Sequence, residues 1–234
     1  MQQKKFKKDK EILSDQYNKF SYPNPIKNID EEIIKLDKIP ISDPNLGWHL
    51  LWPEKKYKKS GLNILVAGCG TQQAAILARC NLKHKFTGVD LSNNSISYQN
   101  KLKEKHNLQN LNLICDDFRN VIFKKKFDYI ISTGVLHHLN NPETGLKYFY
   151  ENLKNDGVIY IMVYGKYQSR SLNEVKKIFK NLNLKQNKES IEIARKIILS
   201  LAENHPAKIF VKNTKDIMYD AGIIDLLLHT KEHF

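Results

Sequence analysis

The chain has 234 residues, 41% of them hydrophobic, which suits one α/β domain with additions rather than several domains. Its three cysteines, Cys69, Cys80 and Cys115, are too few and too widely spaced for a disulfide framework or a zinc knuckle, and predict a reduced, cytoplasmic setting. The formal net charge is +13, yet only four of the 38 basic residues are arginine, the side chain suited to phosphate forks and base edges, so a nucleic-acid partner is not favoured.

The first 60 residues read as a polar arm that packs on the domain C-terminal to it. Residues 9–20 suit a short helix. Beyond them, prolines at Tyr22-Pro23-Asn24-Pro25, Ile39-Pro40, Asp43-Pro44 and Trp52-Pro53 predict extended chain. No h-region follows the charged start, and no apolar run reaches the roughly 18 residues of a membrane span.

From residue 61 to 165 short apolar runs alternate with helical segments. Strands are predicted at Leu62–Ala67, Phe86–Val89, Leu111–Cys115, Phe127–Ser132 and Val158–Tyr164. Helices are predicted at Thr71–Cys80, at Ser92–Lys105 with Ser92 as N-cap, and at Pro142–Leu153 before an Asn155-Asp156-Gly157 turn. This alternation predicts a Rossmann-like, doubly wound, mainly parallel sheet with helices on both faces. Residues 166–234 read as a helical extension or lid, with helices at Ser171–Asn181 and Lys188–Leu201. No convincing further strands appear: Phe210–Val211 is too short and Ile223–Leu228 is ambiguous. The expectation is that the last strands lie beyond this chain or that the sheet is a shortened one with an exposed edge.

The most informative stretch is the first strand running into Gly68-Cys69-Gly70. Glycines there permit a sharp turn at the carboxyl end of a strand, where ligands of open α/β sheets bind. Gln73 stands at the third position of a dinucleotide fingerprint, and no phosphate-loop lysine is present, so neither nucleotide pattern is met. Asp90 closes the second strand, where a carboxylate can accept both ribose hydroxyls of an adenosine ligand. Asp116 closes the third, where it can take an adenine amino group while a neighbouring apolar side chain covers the base. S-adenosylmethionine (AdoMet) has that ribose and base without a phosphate.

ILVAGCGT, GVDLSNNSI, ICDDF, FDYIISTGVLHHLNNPETGLK and GVIYIMVYG, in this order over about residues 62–165, resemble the motifs of class I AdoMet-dependent methyltransferases. The flanks QYNKFSYPNP and DAGIIDLLLHTKEHF are similar to bacterial members often fused to tetratricopeptide repeats, although no such repeats occur here. The resemblance implies a cofactor site of Ala67, Gly68, Cys69, Gly70, Asp90, Leu91, Asp116, Asp117, Phe118, Ser132, Thr133 and Gly134. Within it, Gly68 and Gly70 line the methionine part, Asp90 binds ribose, and Asp116 contacts the adenine with Asp117 and Phe118 beside the ring. Many members carry an acid at the position of Ala67 and a glycine at that of Gln72.

Methyl transfer from a sulfonium needs alignment and exclusion of water more than acid–base groups. Candidates for lining the acceptor site are one of His137 and His138, with Tyr164, Tyr167 and Tyr22 as aromatic walls. A metal is not expected, because adjacent histidines lack ligand spacing and a carboxylate partner. The acceptor is unidentified, with a small molecule or protein favoured. The alternatives are a non-catalytic AdoMet-binding regulatory module and, third, an RNA methyltransferase.

Overall fold

In the computed structural model, which describes residues 2–34, 41–54, 60–165, 167, 170–214 and 216–229, five strands form one sheet. They are β1 (Asn63–Ala67), β2 (Lys85–Asp90), β3 (Leu111–Cys115), β4 (Phe127–Thr133) and β5 (Leu153–Met162). Their order is β3-β2-β1-β4-β5, and all pairings are parallel. The chain steps outward from β1 to β3 and then returns past β1 to β4. That reversal opens a crevice at the carboxyl ends of β1 and β4, the usual ligand site of such sheets.

Before the sheet come α1 (Gln2–Lys19), α2 (Ile29–Ile34) and α3 (Trp48–Leu51). Between strands run α4 (Gln73–Cys80), α5 (Asn93–Lys105) and α6 (Pro142–Asn152); after them come α7 (Arg170–Asn181), α8 (Lys188–Ser200), α9 (Pro206–Thr214) and α10 (Asp220–Leu227). No helix among the described residues is long and apolar enough to cross a membrane.

Side chains alternate across a strand, so β1 serves two cores. Ile64 and Val66 face α4, α5 and the arm's Trp48 and Trp52; Leu65 and Ala67 face Phe118, Leu136 and Phe149. These four residues of β1 are fully buried, which is why the strand reads as a continuous apolar run. The extension from α7 to α10 has a core of its own, built on Phe179, Ile191, Ala194, Ile198 and Ile223, with Phe20 of the arm packed against it.

Three expectations need correction. The arm is not extended beyond its first helix: α2 and α3 interrupt it. The Asn28 side chain accepts the Asp30 amide at 3.1 Å, and Asp30, Glu31 and Glu32 place negative charge on the first turn of α2. The expected turn at residues 155–157 is part of β5, where pairing jumps from Phe127–Leu153 to Tyr129–Val158. The surplus residues bulge, and the arm holds them, with Trp52 Nε1 donating to the Asp156 carbonyl at 3.2 Å. The first helix starts at Gln2 rather than near residue 9. Among the described residues β5 pairs on one side only; Phe210–Val211 lies in α9, and α10 takes most of Ile223–Leu228. Ile39-Pro40 and residues 230–234 of the tail lie outside the described residues.

Candidate functional site

A cavity of about 390 Å³ occupies the crevice. Its floor is the turn after β1. Gly68, Gly70 and Gly134 all have positive φ, at 72°, 55° and 71°, a region that a side chain disfavours. A Cβ on either glycine of the turn would also be crowded. At Gly68 it would lie 2.2 Å from Val135 Cγ2; at Gly70 it would lie 3.0 Å from Pro23 Cδ and from the Tyr22 carbonyl oxygen. The arm therefore sits directly on the turn, and Thr71 Oγ1 fastens it by donating to the Pro23 carbonyl at 2.7 Å.

Asp90 ends β2 on the cavity wall. Its Oδ2 accepts from the Gly70 amide at 2.8 Å and its Oδ1 from the Ser92 amide at 2.9 Å. One carboxylate thus ties the glycine turn to the start of α5, where Ser92 caps the Ser95 amide as expected. Burial leaves the Asp90 carboxyl above its ordinary value, the two amides offsetting only part of that rise. Each oxygen keeps a lone pair for a further donor.

Asp116, Asp117 and Phe118 come after β3 on the same wall. The Asp117 carboxylate is taken by the Arg119 guanidinium, at 2.6 Å and 3.0 Å. It also caps the short helical turn at residues 118–120, so it is a structural anchor. Phe118 stacks on Phe149 at 5.0 Å between centroids, presenting a fixed apolar surface to the cavity.

The structure separates the remaining sequence candidates. Cys69, Leu91, Thr133, Gly134, His138 and Tyr164 line the cavity. Ala67, Ser132 and His137 do not. Ala67 and Ser132 are fully buried in the central strands β1 and β4, and point into the sheet's packing. His137 turns under the Tyr164 ring, 4.8 Å between centroids, while its neighbour His138 faces the cavity. Burial, with help from His138 and Lys176, pushes the His137 imidazole down to about 3, so it is neutral. Tyr167 is exposed and stands off the cavity wall; Tyr22 lines it.

Several site residues escaped the sequence reading. Gln99, fully buried, donates to the carbonyls of Cys69 and Gly70 at 3.1 and 2.8 Å and accepts from the Ala75 amide at 2.9 Å. It lies between Ile96 and Leu102 on the apolar stripe of α5, and an amide on such a stripe was its signal. Tyr17 of α1 and Asp225 of α10 close the cavity from above. Tyr17 Oη donates to Asp225 Oδ1 at 3.0 Å and lies 3.3 and 3.1 Å from Nε2 of His138 and His229. Burial, then Asp225, raises the Tyr17 phenol well above its ordinary range, so it keeps its proton.

His138, Asp225 and His229 bring one potential ligand atom each within 4.8 Å of one another, supplying a carboxylate that the adjacent histidines lack along the sequence. The two imidazoles, however, stack face to face, with centroids 4.2 Å apart and planes 10° apart. Lone pairs lying in parallel planes do not converge on one ion, so this geometry suits hydrogen bonding around Tyr17 rather than chelation.

A parallel sheet with this strand order, a glycine turn after β1 and carboxylates ending β2 and just beyond β3 define a Rossmann-like ligand-binding domain. A family model described as a methyltransferase domain matches residues 58–221, and the chain belongs to that family. An uncharacterized protein of Synechococcus sp. is 27% identical over 152 residues, covering 61% of this chain and 36% of the relative. A malonyl-[acyl-carrier protein] O-methyltransferase of Bacillus cereus is 26% identical over 113 residues, covering 48% of this chain and 41% of that one. The chain thus spans less than half the length of either relative. The solved structure of PKMT2 from Rickettsia typhi shares the fold, with a TM-score of 0.61 at 19% identity over 83% of this chain and 39% of that one. A second structure of PKMT2, in complex with AdoHcy, superposes with a TM-score of 0.55 over 74% of this chain and 35% of that one.

Proposed function

We propose that the crevice binds AdoMet and that the chain transfers its methyl group to an acceptor by direct displacement. The observation that carries this reading is the joint placement of the Gly68–Gly70 turn, Asp90 and Asp116 around one cavity. Asp90 would accept from the ribose hydroxyls, Asp116 from the adenine amino group, and Phe118 would cover the base. Gln72 fits the methionine half: its Oε1 is buried, has no hydrogen-bond partner among the described residues, and belongs to a residue lining the cavity beside the turn. An ammonium donor there would satisfy it. Family membership and the AdoHcy complex of PKMT2 support the same reading.

The cofactor supplies a methyl group already activated on a positively charged sulfur. The protein's part is to hold, orient and dry the site. Tyr17, Tyr22, Tyr164 and His138 also wall the cavity, and an acceptor would approach among them. Calorimetry with AdoMet and AdoHcy tests the reading. Asp90→Ala is expected to weaken both by about ten- to a hundredfold, the value of one or two charge-assisted hydrogen bonds. No heat with either ligand on the unmodified protein would overturn it. Methyl-labelled AdoMet with a cell extract then separates transfer from binding alone.

A further inference from the structure

A second cavity, of about 790 Å³, lies between the arm and the helical extension. Tyr22, Pro23, Gln72 and Tyr164 belong to its wall and to that of the cofactor cavity, so the two spaces meet at these residues. Resting on the methyl-transfer reading, we infer that the second cavity receives the body of the acceptor, and that this body is a neutral, hydroxyl-rich molecule of saccharide size.

Space is the first constraint. At about 390 Å³ the cofactor cavity stands near the lower end of the roughly 300–1,000 Å³ of ligand sites, so AdoMet takes up most of it. An acceptor of more than a few atoms needs room elsewhere, next to the methyl group. Gln72, placed beside the methionine half of the cofactor, stands at the junction, so the sulfonium end faces the neighbouring space. Tyr22 stands there too, its hydroxyl donating to Asp216 Oδ1 of the extension at 3.2 Å. Asn24, Lys27, Glu31 and Thr214 on the wall of the second cavity are exposed, so the acceptor has a way in from solvent.

The wall is chemically mixed. Glu31, Glu32 and Asp216 offer carboxylate oxygens, Lys27 an ammonium, and Asn24 and Asn28 amides that both donate and accept. The bonds from Asn28 to Glu31, at 2.8 Å, and from Tyr22 to Asp216 leave lone pairs on both carboxylates. An anion would be set against the acids and an ammonium against the lysine. A hydroxyl donates to the first and accepts from the second, so a cluster of hydroxyls suits the whole wall. A hydrocarbon chain would strip water from these groups and return nothing. Phe210 and Leu226 add an apolar patch on which the C–H face of a sugar ring can lie.

The part of the acceptor that passes Tyr22 gives a lone pair to the methyl carbon. The carbon–sulfur bond breaks with its electrons left on sulfur as a neutral thioether, and the proton carried by the attacking atom goes to solvent.

Methyl glucoside, maltose, glucosamine, glucuronate and cyclohexylmethanol are each titrated into the AdoHcy-saturated protein and followed by saturation-transfer NMR. The two neutral saccharides are expected to bind, with inter-ligand Overhauser effects to the homocysteine methylenes of AdoHcy, and the other three to bind about tenfold more weakly or not at all. Thr214 lines the second cavity and not the first. Thr214→Trp should therefore weaken both saccharides by about tenfold or more while AdoHcy affinity stays unchanged. Glu31→Ala, at an exposed position, should weaken them severalfold and serves if Thr214→Trp does not fold. Failure of both saccharides to bind, absence of the Overhauser contacts, binding of any of the other three as tightly as the saccharides, or indifference of the saccharides to both substitutions each overturns the inference. Failure of AdoHcy itself to bind overturns the cofactor reading instead, so the two failures are told apart.

Discussion

The glycine turn leans on Gln99, whose single amide joins two carbonyls of the turn to the first turn of α4. Gln99→Leu preserves volume and leaves three buried backbone groups without that partner. It is expected to cost about 2–4 kcal/mol in urea unfolding and to weaken AdoMet binding, since the turn loses its prop. His137 gives a pH-dependent counterpart. Its imidazole is held down at about 3 in the folded chain against 6.5 in an unfolded one. Between those values the unfolded chain binds a proton that the folded chain does not, so stability falls as the pH falls through that window. Replacing His137 by Phe should flatten this acid limb in denaturation curves taken from pH 7 to pH 4. An unchanged limb would mean that the imidazole is accessible.

At the scale of elements, α1 is bound to the mouth of the site by polar contacts. Ser14 Oγ donates to the Leu91 carbonyl at 3.2 Å, and Asn18 Oδ1 accepts from Ser92 Oγ at 2.9 Å and from the Asn94 amide at 3.3 Å. Asn18→Ala should raise amide exchange in residues 11–19 by on the order of tenfold, with the sheet unaffected; equal protection in both proteins would place the anchor elsewhere. Strands β1 and β4 were legible because strands buried on both faces leave short apolar runs, β3 from its short apolar run although it is a half-exposed edge strand, and the end of β2 was marked by Asp90 with Ser92 close behind. β5 was only half legible. Asn155-Asp156-Gly157 has turn chemistry, but Trp52, about a hundred residues earlier, captures it as a bulge. Tyr17, Asp225 and His229 were invisible as site residues because each belongs to a helix or its end, and they meet His138 only after the chain has folded.

Across the whole molecule, the sheet core and the helical extension each bury an apolar cluster, and the arm touches both. Tyr129 Oη donates to the Ser42 carbonyl at 3.1 Å behind the sheet, while Phe20 enters the extension's core and Gln186 bonds to Gln16 at 2.7 Å. Phe179→Ala is expected to destabilise the extension by about 3–5 kcal/mol. If the two clusters melt independently, calorimetric unfolding of that variant should divide into two transitions, whereas a single shifted transition would show that the arm couples them.

Because Pro23 and the Tyr22 carbonyl rest against Gly70, and Tyr17 and Asp225 line the same space, the expected consequence is that AdoMet reaches the floor fastest when this covering lifts. Entry then has a rate ceiling. In stopped-flow mixing the observed rate of AdoMet uptake should level off with rising concentration at the frequency with which the covering lifts, and a truncation lacking the first 25 residues should raise or remove the plateau.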